Sequence, residues 1–404
     1  MEKLSVYAPS AFMKLGHPEY VYETLIRLNE FYNIDLYVTK DEVYYKKMYS
    51  EIGINILNLK NDKNSFEDSP EIKKEYKNKF GVFSNLIYGI KKLMYYIRIL
   101  RNFFRLTKGS KHIYFMEFEY ISMYLMAFLY PKLLKKTTLV LHTSDFSWVP
   151  NRSKVINIYK VIVRRLLQKL IKSSKGFAVH GEVLKDDLIG ILGNEFKNKI
   201  FVSGYGFNKI KNDINMLDAR RELKLESLNE KIFLMFGLIR KDKGFPEILK
   251  HFSNENIGSS KLVVAGDIQD VTLQELNDMI DKYKLKDNII LRIGYIEEED
   301  IKYYFAASDY VILSHQQHFS SFSGPFALSM QYKKPVICSN SKQVGEIVLN
   351  NNLGYIYKDE ESLIDAIKKS NLSKYNYDPE SNINYYTWDS AADRIKKWLK
   401  NKND

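Results

Sequence analysis

One stretch of the chain, residues 314–340, decides the fold, and it reads SHQQHFSSFSGPFALSMQYKKPVICSN. An apolar strand at 310–313 leads into a polar loop that ends at Ser323 and Gly324. An apolar helix follows, and a second apolar strand occupies 336–339. A glycine at the start of a helix lets an anion approach free backbone N–H groups at the positive end of the helix dipole. The stretch therefore predicts either an anion site or an ordinary strand–helix–strand unit with a small-residue turn.

Strands and helices alternate through the rest of the second half. The predicted strands are 232–236, 261–265, 289–292, 310–313, 336–339 and 355–357. Helical patterns fall between them, for example at 247–252 and 273–283. This alternation is typical of a parallel, doubly wound sheet, which binds its ligands at the carboxyl ends of the strands.

The loop after the first of these strands is basic and begins and ends with glycine. It reads GLIRKDKG, residues 237–244, and supplies backbone donors together with mobile cations, which suit a diphosphate. Loops that follow different strands of one sheet open on the same edge. We therefore expect Arg240, Lys243 and the helix start at Ser323 and Gly324 to converge on this edge. The alternative is that the loop 237–244 is a basic surface turn.

The first half shows the same alternation. Its predicted strands are 4–10, 34–39, 112–118, 138–142, 176–180 and 200–203. A polar linker is predicted at 208–230, and a final helix near 388–400 could pack back on the first domain. The predicted fold class is therefore α/β, with two Rossmann-like doubly wound domains that face each other across a cleft.

Two histidines follow predicted strands or lie in the first loop. His142 occurs in LHTSDFSW, close to Asp145, and His17 follows the first strand. A histidine can take or hold a proton near neutral pH, and a neighbouring aspartate can orient it. Histidines at strand ends are also commonly structural, and both interpretations stay open here.

Two amphipathic helices are rich in basic residues. In the segment 86–111, apolar residues recur every three or four positions, and no acidic residue occurs between Gly81 and Met116. The segment 159–175 repeats the pattern. Basic amphipathic helices with aromatic residues are typical of binding to an anionic membrane, and the alternative is a core-packed helix with a solvated charged face.

The composition narrows the function classes. A chain of 404 residues with 45% hydrophobic and 27% charged residues predicts two globular domains. The single cysteine, Cys338, excludes an intramolecular disulfide and a cysteine-cluster metal site. We recognise no secretory signal and no apolar run long enough to span a bilayer, so we expect a cytoplasmic protein. The net charge of +12 would attract polyanions such as nucleic acids. The basic residues lie on amphipathic helices, however, and we recognise no nucleic-acid-binding module, so we expect no nucleic-acid partner.

Several motifs carry a resemblance to a known family. In the second half they are FGLIRKDKG (236–244), VVAGD (263–267), IGYIEEEDIKYYFAASDYVILS (293–314), SGPFALSMQYKKPVICS (323–339), GEIV (345–348) and NNLGYIY (351–357). In order and spacing they resemble nucleotide-sugar glycosyltransferases of the GT-B architecture, in the large retaining family numbered four. In the first half, His142 with Asp145 and the run AVHGEVLKDDL (178–188) are also similar to this family.

The resemblance implies a donor sugar nucleotide held mainly by the second domain. Arg240 and Lys243 would neutralise the diphosphate, backbone near Tyr295 and Ile296 would contact the base, and His142 would face the donor sugar. The predicted donor-binding residues are Gly237, Arg240, Lys243, Tyr295, Ile296, Ser323 and Gly324, and the predicted catalytic residues are His142, Asp145 and His17. No cofactor and no metal are expected, because cations and helix-start donors would stabilise the departing diphosphate.

The chain departs from the family at one place. Most members carry two glutamates about two helical turns apart near the Ser-Gly loop. The corresponding positions here are at or near Ser320 and at Leu328, and neither is acidic. The segment resembles a divergent branch with a Ser-Gly loop instead.

These observations lead to one prediction with one alternative. The predicted domains are an N-terminal acceptor-binding domain at 1–207, a C-terminal nucleotide-sugar-binding domain at 208–375 and a C-terminal helix at 376–404. The predicted function is transfer of a hexosyl group from a nucleotide sugar to a glycan or lipid-linked acceptor in cell-surface polysaccharide assembly. We also predict that the protein binds peripherally to the anionic inner face of the cell membrane. The alternative is a non-catalytic glycan- or nucleotide-sugar-binding scaffold that has lost its glutamates.

Overall fold

The computed structural model describes most of the chain. The described residues are 1–9, 11, 18–39, 43–59, 84–143, 154–208, 214–225, 230–240, 243–252, 260–315, 322–372, 375–376 and 383–401. Their contacts divide the chain into two compact units, the first comprising 1–204 with 391–404 and the second 205–390.

The first unit is a seven-stranded parallel sheet with helices on both faces. Its strands are β1 (Glu2–Tyr7), β2 (Tyr32–Val38), β3 (Asn55–Asn58), β4 (His112–Phe115), β5 (Thr137–Leu141), β6 (Gly176–Val179) and β7 (Ile200–Val202). Its helices are α1 (Pro18–Leu28), α2 (Val43–Glu51), α3 (Ser84–Leu106), α4 (Tyr120–Leu129), α5 (Pro131–Leu134), α6 (Lys154–Ser173) and α7 (Glu182–Leu192), with a 3-10 helix at Asn194–Lys199. The strand order is β3-β2-β1-β4-β5-β6-β7.

The central strands of this sheet are buried and mostly apolar because both of their faces are covered. β4 and β6 are buried along their whole lengths, as is β5, which reads TTLVL. The helices α3, α4, α6 and α7 contribute to one continuous apolar core with these strands. The order reverses between β1 and β4, which places a topological switch point there.

The C-terminal helix, α15 (Trp388–Lys400), ends in the first unit. The ring of Trp398 stacks on Phe201 with the ring centroids 4.5 Å apart, and its Nε1 donates to Thr138 Oγ1 at 3.0 Å. A Cβ on Gly176 would lie 2.7 Å from the Trp398 ring, so a glycine is needed at the start of β6 for this packing.

The second unit is a six-stranded parallel sheet. Its strands are β8 (Ile232–Phe236), β9 (Lys261–Gly266), β10 (Ile289–Ile293), β11 (Tyr310–Leu313), β12 (Val336–Ser339) and β13 (Gly354–Tyr357). Its helices are α8 (Met216–Glu222), α9 (Phe245–Phe252), α10 (Leu273–Lys282), α11 (Glu298–Ala307), α12 (Gly324–Gln331), α13 (Lys342–Asn350) and α14 (Glu360–Leu372), with a 3-10 helix at Ile383–Tyr386. The strand order is β10-β9-β8-β11-β12-β13, so the switch point lies between β8 and β11.

The predicted strands are all present, with ends that differ by a few residues. Two elements were missed. β3 is a four-residue edge strand, NILN, whose polar ends give no clear alternation. The predicted linker at 208–230 contains α8, so that part of the prediction was wrong. Asn215 caps α8 through a hydrogen bond from Asp218 N at 2.9 Å, and the buried Arg220 pairs with Asp309 at 3.1 Å.

Candidate functional site

A pocket lies at the switch point of the second sheet, where β8 and β11 end. It holds about 400 Å³ of empty space, part of it open to solvent. Its lining residues come from the end of β8 and the following loop, from the start of α9, from β9, from the end of β11 and from the first turn of α12: Met235, Phe236, Gly237, Leu238, Ile239, Arg240, Lys243, Phe245, Val264, Ile312, Leu313, Ser314, His315 and Pro325. Apolar walls with a few polar groups at a switch point are typical of a ligand site in this class of sheet.

The basic loop is fixed to the end of β11 by close backbone contact. Ser314 Oγ donates a hydrogen bond to the carbonyl oxygen of Lys243. Gly244 adopts a φ of +63°, and a Cβ there would lie 2.5 Å from the Ser314 carbonyl oxygen. Only glycine allows this conformation and this approach without strain. The contact fixes the backbone that carries Lys243.

The ammonium of Lys243 and the start of α12 both border Gly237. A Cβ built on Gly237 would lie 3.7 Å from Lys243 Nζ and 3.5 Å from Cγ of Pro325. Gly237 itself has a φ of +96°, and its N–H donates to the Ala265 carbonyl at 2.9 Å. Arg240, Lys243 and Pro325, which follows Gly324 in the first turn of α12, line one pocket, whereas Ser323 and Gly324 are not among its lining residues.

The first turn of α12 is capped by a serine side chain. Ser323 is the N-cap, with its Oγ accepting a hydrogen bond from Phe326 N at 3.4 Å, and proline occupies the first turn. Ser323 is buried, whereas Gly324 is exposed. The eight-residue helix directs its positive end toward the pocket edge, where Lys243 also lies.

His315 is a buried histidine in the wall of this pocket. Burial, together with the charges of Lys243 and Arg240, lowers the pKa of its imidazole to about 3. The ring is therefore neutral at physiological pH. Its backbone is fixed to β12, since Ser339 Oγ donates to the His315 carbonyl at 2.6 Å. The pocket thus combines two permanent cations with one uncharged imidazole.

Two further predicted donor residues, Tyr295 and Ile296, lie at the same sheet edge and also outside the pocket lining. Tyr295 and Ile296 follow β10, which is separated from β8 by one strand, and the Tyr295 side chain is 62% exposed. Three positions singled out from the sequence, His17, Asp145 and Ser320, lie outside the described residues. Their roles stay predictions.

In the first unit, His142 follows β5 and its ring is hydrogen-bonded through both nitrogens. Nε2 lies 2.8 Å from the Met116 carbonyl oxygen, and Nδ1 lies 2.7 Å from Nε2 of His180. His180 follows β6 and is buried. The ring of Tyr20 lies edge-on against both imidazoles, with centroids 5.7 Å from His142 and 5.0 Å from His180.

The described part of the chain contains neither a candidate metal-ion cluster nor a candidate membrane-spanning helix. No group of three or more histidine, cysteine, aspartate or glutamate side chains could hold a metal ion there. Over the same residues, no helix is both long and apolar enough to cross a membrane.

Comparison with known proteins connects this geometry to a fold family. Residues 218–385, which include the pocket, match the family model described as glycosyl transferases group 1. Sucrose-phosphate synthase from Thermosynechococcus elongatus superimposes with a TM-score of 0.70 at 12% identity, over 98% of each chain. The fold is GT-B. The predicted fold class of two Rossmann-like doubly wound domains is thereby confirmed.

Other solved structures are also similar over nearly their whole lengths. HepE from Anabaena in complex with UDP superimposes with a TM-score of 0.68 at 15% identity, covering 99% of each chain. The lipopolysaccharide outer core galactosyltransferase WaaB gives 0.63 at 11% identity, again over 99% of each chain. No curated protein sequence matches the chain. The family match lies within the second unit, and the similarity to these solved structures shows the shared fold.

Sequence reasoning assigned no role to two histidines that the structure places at GT-B strand ends. His315 is the second residue after β11, and His180 directly follows β6. The rule that ligands bind at the carboxyl ends of strands could have found both, because His315 lies two residues after the predicted strand 310–313 and His180 is the last residue of the predicted strand 176–180. Leu328, where a family glutamate was expected, is a half-buried residue of α12.

Proposed function

We propose that this protein transfers a hexosyl group from a nucleotide-sugar donor, with the diphosphate bound in the pocket between β8 and β11. One observation carries the proposal: Arg240, Lys243 and the start of α12 border the same pocket. Negative charge develops on the nucleoside diphosphate as it departs, and fixed cations and helix-start donors stabilise such charge.

The donor is proposed to be a uridine diphosphate sugar. Structures of HepE in complex with UDP and with UDP-glucose are among the similar GT-B proteins, and this motivates the choice of base. The neutral ring of His315 adds an uncharged hydrogen-bonding group beside the two cations. Tyr295 and Ile296 are proposed to contact the base from the end of β10.

The test is thermal stabilisation of the full chain by a panel of nucleotide sugars and free nucleoside diphosphates. A ligand that binds only the folded protein stabilises it by about 2.7 kcal/mol at one hundred times its dissociation constant. We expect UDP and at least one UDP-sugar to raise the melting temperature by several degrees. If no member of the panel stabilises the protein or is turned over, the proposal is wrong.

Two finer properties of the reaction follow from the resemblance to retaining family four. We propose that the reaction needs no metal ion, because Arg240 and Lys243 supply the positive charge. Full turnover in excess EDTA would support this. We also propose that the transfer retains the anomeric configuration of the donor sugar and proceeds without the usual glutamates. The anomeric configuration of the first product, measured by NMR, tests this.

The acceptor is proposed to be a glycan or lipid-linked saccharide of cell-surface polysaccharide assembly, reached from the cytoplasmic face of an anionic membrane. The support comes from three helices of the first unit, α3, α4 and α6, of which α4 packs between the other two. None of the three contains an aspartate or a glutamate. The exposed basic residues on α3 and α6 include Lys91, Arg98, Arg101, Arg105, Arg164, Arg165, Lys169 and Lys172.

The same three helices expose large apolar side chains. Those that are solvent-exposed are Ile90, Met94 and Leu106 of α3, Leu125, Phe128 and Leu129 of α4, and Ile158, Tyr159, Val161 and Ile162 of α6. Phe128 is the most exposed of them, at 68%. Apolar residues mixed with cations and lacking acidic residues suit an interfacial surface on anionic lipid. We call this set the α3–α4–α6 face.

We expect the protein to sediment with vesicles of phosphatidylglycerol mixed with phosphatidylcholine, and less so with phosphatidylcholine alone. Each basic residue near an anionic surface contributes about 1 kcal/mol, so Arg101→Glu with Arg105→Glu should weaken binding at least tenfold. Phe128→Ser with Leu129→Ser removes apolar insertion and should also weaken it.

The matched controls lie in the second unit. Lys284→Glu with Lys286→Glu makes the same charge change, and Leu349→Ser with Leu372→Ser removes apolar residues that are 68% and 87% exposed. Both controls should bind vesicles like the unaltered protein. Equal binding to both vesicle types, or equal loss in the controls, would contradict the proposed surface.

A further inference from the structure

The hydrogen bonds around His142 and His180 require more protons than two neutral imidazoles carry. His142 Nε2 faces the Met116 carbonyl oxygen at 2.8 Å, and His180 Nδ1 faces the Gly204 carbonyl oxygen at 3.3 Å. A carbonyl oxygen only accepts, so each of these nitrogens must carry a hydrogen to form its bond. The inner bond, 2.7 Å between His142 Nδ1 and His180 Nε2, needs one further hydrogen.

The count is three hydrogens on four ring nitrogens. Two neutral imidazoles supply one each, which leaves one of the three hydrogen bonds unmade. One additional proton satisfies all three and makes the pair a singly charged imidazole–imidazolium. His180 is buried, at 4% exposure, and an unmade hydrogen bond in such a place is costly.

We infer that His180 is the positioning residue for His142 and that the two rings hold one shared additional proton. His180 donates through Nε2 to His142 Nδ1, which fixes His142 with its hydrogen on Nε2. This inference deepens the proposed function, and only its activity readout rests on that function. The additional proton places a positive charge in the first unit, at the carboxyl edge of its sheet where β5 and β6 end.

The surroundings hold the pair in place. Tyr20 of α1 is 1% exposed and packs edge-on against both rings. Arg394 of α15 donates through Nε to the Ser203 carbonyl at 3.1 Å, beside Gly204. The charged residues on the elements that carry or contact the pair are Glu19, Glu23 and Arg27 of α1, Glu117 and Glu119 after β4, Glu182, Lys185, Asp186 and Asp187 of α7, and Asp389, Asp393, Arg394, Lys396, Lys397 and Lys400 of α15.

The test uses the full chain labelled with ¹⁵N in its histidine rings, with signals assigned from His142→Gln and His180→Gln. At pH 7 we expect three of the four nitrogens of the pair to be protonated, with one hydrogen shared between the rings. If only two of the four nitrogens are protonated at pH 7, the inference of a shared additional proton is wrong. This readout needs no substrate, so it is independent of whether the proposed sugar transfer is correct.

Two variants separate positioning from charge. In His180→Gln, the amide can still donate to His142 Nδ1, so His142 should keep its hydrogen on Nε2 but lose the shared charge. In His180→Leu, the donor is lost, so the His142 Nδ1 signal should show the loss of a hydrogen bond, while Nε2 keeps its bond to the Met116 carbonyl oxygen. An unchanged His142 ring signal in both variants would overturn the positioning role.

Activity gives the second readout once a donor is known. We expect kcat to fall about tenfold or more in His180→Leu, with a smaller loss in His180→Gln and little change in KM for the donor. The control is His112→Gln, another buried histidine of the same sheet, which is the first residue of β4 rather than a residue that follows a strand. It should leave the His142 signals unchanged, and equal loss of kcat in this control would also overturn the inference.

Discussion

Replacing Arg240 or Lys243 by alanine is expected to lower kcat/KM for the nucleotide-sugar donor by about a hundredfold or more in each case. Both side chains border the pocket at the end of β8, and Lys243 Nζ lies close to Gly237 and to the first turn of α12. Charge-assisted hydrogen bonds to phosphate are about twice as strong as neutral ones, and a departing diphosphate gains charge in the transition state. The measurement is steady-state turnover together with calorimetric binding of the nucleoside diphosphate.

The control for these variants is Lys286→Ala. Lys286 belongs to the same unit, and its side chain is 76% exposed, away from the pocket lining. It should bind and turn over the donor like the unaltered protein. Activity close to that of the unaltered protein in both Arg240→Ala and Lys243→Ala would show that the diphosphate is not held in this pocket.

Gly244→Ala is expected to impair the site without touching any charged group. The φ of +63° at this position costs a residue with a Cβ about 1–2 kcal/mol. The new Cβ would also lie 2.5 Å from the Ser314 carbonyl oxygen, a backbone atom that cannot turn aside. The loop must therefore move away from β11 and take Lys243 with it. We expect donor affinity to fall at least tenfold and the free energy of unfolding to decrease by about 1–3 kcal/mol.

Gly190→Ala is the matched control for this substitution. Gly190 lies in α7, and a Cβ there would meet no atom within 4 Å. Alanine in a helix interior is favoured over glycine by up to about 1 kcal/mol, so this variant should be as stable as the unaltered protein or more so. Urea unfolding and donor binding compare the two variants. Unaltered donor binding in Gly244→Ala would refute the structural role of the loop contact.

Local sequence patterns predicted an element correctly where its residues share one environment along the whole element. β8, β11 and β12 have the predicted bounds, because apolar runs between glycine- or proline-containing turns specify strands buried on both faces. The basic helices α3 and α6 follow from their three- and four-residue periodicity. Ile90, assigned to the apolar stripe of α3, is 50% exposed, because the core covers this helix mainly near its C-terminal end, at Leu100, Phe103 and Phe104.

Local patterns failed where tertiary contacts decide the structure. The α8 segment reads MLDARRE and looks like polar linker, yet its buried Arg220 is fixed by Asp309, which lies 89 positions later in the chain. The short strand β3 exists because β2 offers it an edge to pair with. Neither contact can be read from neighbouring residues.

The sequence alone determined the alternating α/β architecture, the two basic segments and the glycine-bounded loop at 237–244. Each of these depends on residues close together in the chain, whose spacing reflects helix and strand geometry directly. Only the tertiary structure decided the strand orders, and with them which loops meet. It placed Lys243 against Ser314, 71 positions away, and His142 against His180, 38 positions away. Strand pairing between distant segments fixes these contacts, and that pairing depends on how the whole core packs.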